Sequence, residues 1–210
     1  MLIKRLLDRY GYDTPIFTED ILKCMNDYSR QRVYQLISEE INKKSLIRFD
    51  MGIYYIPTNS EFGHTSITVN EVVKRKYIQD EGEIFGIYGK SVIDLNFLIS
   101  YQVPNKIEVI TNKESRDIRE IEIGGRKVIL RKARVQINKE NVYGYTLMEL
   151  FNKINLKQYK ENNTIQKSIK EFIKENKINI KMIYDLASYF PAKTMKNLVI
   201  SGVLYEIAQQ

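Results

Sequence analysis

The chain has 210 residues, 43% hydrophobic and 28% charged, with 33 Lys and Arg against 26 Asp and Glu. These proportions belong to a folded globular protein with room for two domains, and they argue against disorder. No apolar run approaches the roughly 20 residues of a membrane span, and charges interrupt MLIKRLLDRYGYD where a secretory leader needs an apolar core, so a cytoplasmic protein is expected.

Taken in chain order, IKRLLDRYG predicts a short helix stopped by Gly11, and Thr18 is placed to cap a second helix, EDILKCMN. Cys24, the only cysteine, reads as a small buried apolar residue of that helix. Ser29 then caps a longer helix from Arg30 to about Lys43, with Val33, Leu36, Ile37 and Ile41 on its inward stripe. SLIRF and IYYIP alternate around Asp50-Met51-Gly52 as a hairpin. Three helices followed by a two-stranded wing predict a winged helix-turn-helix over residues 1–60.

The outward face of the third helix suits double-stranded DNA. A recognition helix needs hydrogen-bonding side chains near its N-terminal end, which enters the major groove while the cap touches phosphate. Ser29, Arg30, Gln31, Arg32, Tyr34 and Gln35 provide them, Glu39 and Glu40 come late enough to face away, and Lys43, Lys44 and Arg48 near the wing are candidates for a phosphate path. Residues 1–60 nevertheless carry 9 basic against 8 acidic side chains. That near neutrality leaves open the alternative of a winged-helix regulator or docking adaptor with protein partners.

TNSEFGHTS (58–66) lacks periodicity and reads as a linker carrying His64, the only histidine. TVNEVVKRKYIQDEG predicts a helix ending at Gly82, EIFGIYG a buried strand, KSVIDLNFLI a helix and KIEVITN a strand. IREIEIG and RKVILRKA form two further strands turning at Gly124-Gly125. YTLMELFNKI is an amphipathic helix, and IQKSIKEFIKEN, IKMIYDLASYF and TMKNLVISGVLYEIA complete the chain as three helices, with Pro191 parting the last two. The fold class is thus α+β: a winged helix over 1–60, a mixed α/β domain over 61–155 and a helical extension over 156–210.

The motifs of catalysis do not close. GKSVIDLN has a Gly-Lys-Ser turn, but Asp94-Leu95-Asn96 lacks the paired carboxylates of a nucleotidyltransferase. Neither Glu108-Val109-Ile110 nor Glu120-Ile121-Glu122 carries the lysine of a restriction-type nuclease. Gly124-Gly125 lies between strands, so it is no phosphate loop. With one Cys and one His, no zinc site is expected either. The expectation is a non-enzyme without metal or cofactor.

GEIFGIYGKSVIDLNFLISYQVPNKIEVITN and IEIGGRKVILRKARVQINKENV together resemble the antitoxin domain of AbiEi-type proteins. The match rests on a glycine-bearing strand entering a helix, on Gln102-Val103-Pro104, on an apolar strand ending in Thr111-Asn112, and on a basic strand closing on Arg131 and Arg134. The preceding segment is similar to that family's N-terminal domain. Lys90, Asp94 and Tyr101 stand where the family usually carries small residues. The resemblance implies an antitoxin of a type IV toxin-antitoxin pair that acts in phage abortive infection. Such a protein represses its own operon at promoter DNA, with room for an oligomer there, and neutralises a nucleotidyltransferase-like toxin without a stable complex. Arg126, Lys127, Arg131, Lys132 and Arg134 are the candidate basic face of that domain, for RNA, nucleotide or an acidic protein surface.

Overall fold

Leu2 and Leu6 lie one turn apart, and the helix they build, α1 (Leu2–Tyr10), buries both. Gly11, at φ 74, stops it with an N–H donated to the Leu7 carbonyl. The computed structural model describes residues 1–60, 63–101 and 105–209, and the chain divides into the units Met1–Arg75 and Lys76–Gln210. Among the described residues no helix is long and apolar enough to cross a membrane.

In the first unit, β1 (Ile16–Phe17) leads into α2 (Thr18–Cys24), α3 (Arg30–Asn42), β2 (Ile47–Asp50) and β3 (Ile53–Tyr55). The three strands form one antiparallel sheet in the order β1-β3-β2. Leu2, Leu6, Ile16, Ile21, Val33, Ile37 and Leu46 make the core, and Leu36 and Ile41 pack half-buried against it, so the inward stripe expected for α3 is the one observed. Ser29 Oγ accepts the Arg32 N–H at 3.3 Å as the expected cap. Thr18 is not a cap. The Asp20 carboxylate closes the start of α2 by accepting the Phe17 N–H, while Thr18 gives both its N–H and its hydroxyl to the Gly52 carbonyl. That residue is spent on tying the β2–β3 turn to α2.

The chain then makes a short hairpin, β4 (Asn59–Ser60) with β5 (Gly63–His64), where a linker is expected; Glu61, Phe62 and the side chain of His64 lie outside the description. Asp13, in left-handed backbone at φ 53, accepts hydrogen bonds from the Thr58 and Thr65 hydroxyls, which hold its carboxyl below the usual range. The helix expected to run to Gly82 is shorter. Thr68 and Glu71 form a capping box for α4 (Val69–Val73), and a π-helical turn follows over Lys74–Ile78. The buried pairs Val72, Val73 and Tyr77, Ile78 are five residues apart, out of step with 3.6 residues per turn and in step with a wider π turn.

Arg75 explains why the first unit extends beyond the expected boundary at residue 60. Its buried guanidinium donates to the Pro15 carbonyl, pairs with Asp20 at 3.0 Å, and lies 4.6 Å from the Tyr10 ring centre and 5.2 Å from that of Phe17.

In the second unit β6 (Gln79–Asp80) and β7 (Glu83–Ile84) turn at Glu81-Gly82. Next come β8 (Gly86–Tyr88), α5 (Lys90–Asn96), β9 (Ile107–Thr111), β10 (Ile118–Ile123) and β11 (Arg126–Lys132). Their sheet has the order β10-β11-β9-β8, with β9 parallel to β11 and the other neighbours antiparallel. Positive φ at Gly124 and Gly125 gives the two-residue β10–β11 turn that the glycine pair predicts. A Cβ on Gly86 would collide with the Tyr77 and Ile110 carbonyl oxygens, so only glycine fits there. Gln102-Val103-Pro104, one of the points of family resemblance, lies outside the described residues.

Helix α6 (Val142–Lys153) is buried nearly all round. Beyond it come α7 (Leu156–Glu161), α8 (Asn163–Glu175), α9 (Ile180–Ala187), α10 (Ala192–Ile200) and α11 (Val203–Ala208). One continuous core runs from Ile87, Ile93 and Ile110 through Tyr145, Leu147 and Phe151 to Ile169, Ile183, Leu198 and Ile207. Residues 156–210, expected as a separate extension, therefore belong to the body of the second unit. The last expected helix is two, because Gly202 adopts left-handed backbone at φ 81 between α10 and α11.

Two fragments test the first boundary. Residues 1–75 should unfold cooperatively in a thermal scan and 1–60 should be clearly weaker. In the full chain Arg75→Ala should cost about 3 kcal/mol by leaving Asp20 unpaired in a half-dry setting. Equal melting of the two fragments would show that Arg75 is dispensable.

Candidate functional site

Two surfaces carry the candidate residues, one in each unit. On the first, the outward face of α3 presents Gln31, Tyr34, Gln35, Ser38, Glu39 and Asn42 around an open depression of about 520 Å³. Tyr34 is exposed, and the Ser38 hydroxyl donates to the Tyr34 carbonyl. Glu39 was expected to turn away, yet helical spacing from Gln31, Gln35 and Asn42 keeps it on this face, where Arg32 donates to Gln35 Oε1 at 3.2 Å and Glu39 Oε1 at 3.0 Å.

The neighbouring cations are unevenly free. Lys43 pairs with Glu40 at 2.9 Å, a contact that together with the Ser45 hydroxyl holds the Glu40 carboxyl below its usual range. Arg48 Nε donates to the Asp50 carbonyl at 3.3 Å beside the β2–β3 turn, where Met51 stands exposed. Arg30 in the first turn and Lys44, in left-handed backbone just past the helix, have no ion pair among the described residues.

On the second unit the five basic candidates separate into two groups. Arg126 and Lys127 sit by the glycine turn, Lys127 paired with Glu120 at 3.0 Å. Arg131, Lys132 and Arg134, about 16 Å further along the strand at 3.3 Å per residue, line a depression of about 530 Å³ with Lys153, Glu149, Tyr189 and Ile118. Pleating alone would send Arg131 and Lys132 to opposite faces. At the exit of β11 both are nevertheless among the residues that line the same depression.

The acids that organise this place were not singled out as partners in the sequence. Arg131 Nε donates to Glu108 of β9, and Arg134 Nε to Glu149 of α6 at 3.3 Å. Lys153 Nζ lies 3.9 Å from Glu108 and 3.8 Å from Glu149. Glu149 could have been noticed as a lone carboxylate inside the apolar stretch TLMELF, four residues before Lys153. Glu108 also accepts the Lys90 N–H at 3.1 Å, and Arg134 lies 5.3 Å from the Phe190 ring centre. The buried Tyr145 hydroxyl accepts the Arg134 backbone N–H at 2.9 Å, fixing the chain where β11 ends.

Burial pushes the Tyr145 hydroxyl from 10.0 up to about 12. A value raised in the folded state means that the neutral hydroxyl gives its full stability below about pH 10 and loses it as pH rises toward 12. Tyr145→Phe should therefore flatten the alkaline fall in urea-unfolding stability, whose size is about 2 to 3 kcal/mol for a shift of this extent. At neutral pH the same change should cost about 1 to 3 kcal/mol for the stranded Arg134 N–H. An unchanged alkaline slope would assign that loss to other groups.

Comparison with curated proteins finds no match. The family model described as Family of unknown function (DUF6088) matches residues 3–183, from α1 into α9 and so across both units. Spanning well over half of the sequence, that match shows that the chain belongs to the Family of unknown function (DUF6088).

Proposed function

We propose that this chain is the antitoxin and autorepressor of a type IV toxin-antitoxin operon, acting in the cytoplasm. Residues 1–60 form its winged helix on promoter DNA, and the second unit neutralises a nucleotidyltransferase-like toxin. The observation that carries the DNA half is the polar, exposed face of α3 behind the Ser29 cap, next to the β2–β3 hairpin with Arg48. The element order α1-β1-α2-α3-β2-β3 supports the winged-helix reading, in which the third helix is the groove reader. The antitoxin half is supported by the AbiEi-type resemblance of residues 82–141. The second reading, a winged-helix docking adaptor, is favoured by one observation: Arg5, Arg32 and Lys43 are all ion-paired with carboxylates of their own unit.

Fluorescence anisotropy with the promoter region of the chain's own operon separates the two. Gln31→Ala and Gln35→Ala should each reduce discrimination against unrelated DNA by about 1 to 3 kcal/mol for a lost bidentate base contact. Lys44→Ala should weaken all DNA alike and flatten the salt dependence. Lys43→Ala should do so less, because Glu40 already neutralises that ammonium. Full-strength binding by all four variants would overturn α3 as the groove reader, and no promoter-selective binding by the wild type would favour the adaptor.

Antitoxicity is expected to reside in residues 76–210, which hold their own continuous core. Co-expressed with the toxin of the neighbouring gene, that fragment should relieve growth arrest without repressing the promoter. Rescue by the full chain alone would show that the two roles are inseparable.

A further inference from the structure

The depression at the exit of β11 is built as a receptor for an anion. Its carboxylates lie beneath it: the Glu149 side chain is 5% exposed and that of Glu108 12%, whereas Arg131, Arg134 and Lys153 are 37%, 39% and 30% exposed. Most of the negative charge is therefore at the floor and the positive charge at the rim, where the exposed carboxylate of Asp117 also stands. Each arginine is gripped through Nε, and among the described residues neither guanidinium uses its terminal amino groups in a hydrogen bond. A guanidinium fixed from behind keeps its forked donors oriented for an incoming anion at little entropic cost. Lys132, exposed and with no ion pair among the described residues, adds a further donor. One wall is apolar, formed by the exposed side chains of Tyr189 and Ile118.

The geometry points to a nucleotide-binding site in which Arg131, Lys132 and Arg134 hold the phosphates and Tyr189 offers its ring to the base. Phosphate matches the planar fork of arginine, and a base is the planar partner that an exposed tyrosine beside it would take. The site stands apart from the DNA-binding reading, since every residue in it belongs to the second unit, so either can fail alone.

Isothermal titration of the full chain with ATP, inorganic tripolyphosphate and a single-stranded RNA octamer tests it. ATP should bind saturably at one site. Lys132→Gln should weaken ATP and tripolyphosphate together by about tenfold, the effect of one charge-assisted hydrogen bond. Tyr189→Ala should weaken ATP by about tenfold and leave tripolyphosphate unchanged. Both side chains are exposed, so these variants stay folded where Arg131→Gln or Arg134→Gln strands a buried carboxylate. Competition between ATP and the RNA assigns the nucleotide to a strand, and binding of ATP without competition assigns it to the free form. No saturable binding of any probe, or ATP binding indifferent to both variants, overturns the site. Equal affinity for ATP and tripolyphosphate in the wild type and in Tyr189→Ala overturns the nucleotide.

Discussion

The second unit depends on one carboxylate. Glu108 stands on β9, inside the sheet, where a charge without partners costs several kcal/mol. It is met by the first N–H of α5 at Lys90, by the Arg131 guanidinium of β11 and, at longer range, by Lys153 at the end of α6. Three elements distant in sequence thus converge on one side chain. Gly89 makes room for it, since a Cβ there would run into the Glu108 side chain. Glu149 repeats the arrangement from the helix side, so that β11 and its exit are fixed by two buried acids.

The same chemistry has a different weight in the first unit. Arg32–Glu39 and Lys43–Glu40 lie at the surface, where such pairs contribute about 0 to 1 kcal/mol. An incoming phosphate or base can replace either carboxylate at small cost. Arg131 and Arg134 cannot be released so easily, because their partners are largely shielded from water. The formal charge of +7 arises largely in residues 151–210, which carry 10 basic and 5 acidic side chains, and of those ten basic residues only Lys153 lines a candidate depression. Net charge was consequently a poor guide to where a ligand would sit.

Features set by neighbours in sequence were legible: the Gly11 stop, the Ser29 cap, the stripe of α3 and the Gly124-Gly125 turn. Each depends on a periodicity or on backbone freedom that the residue type itself fixes. What escaped depends on contacts across long separations. Thr18 reads as a cap until the Gly52 carbonyl arrives beside it. Arg75 reads as one cation in KRK until Pro15 and Asp20, some 60 residues earlier, enclose it. Of the candidate sites, the polar face of α3 followed from helical spacing alone. The depression on β11 did not, because its basic residues acquire orientation only from Glu108 and Glu149.

The burial of α6 on nearly every side has a consequence for synthesis on the ribosome. Its sheet-facing residues find partners among strands already made, but the side covered by Ile183, Leu198 and Ile207 waits for the final helices. At about 5 to 20 residues per second the missing 55 or so residues take roughly 3 to 11 s to be made. Through that interval the nascent chain displays one of its most apolar helices half-covered. The second unit therefore completes its core only once α9, α10 and α11 have been made, and their docking on α6 is the closing step.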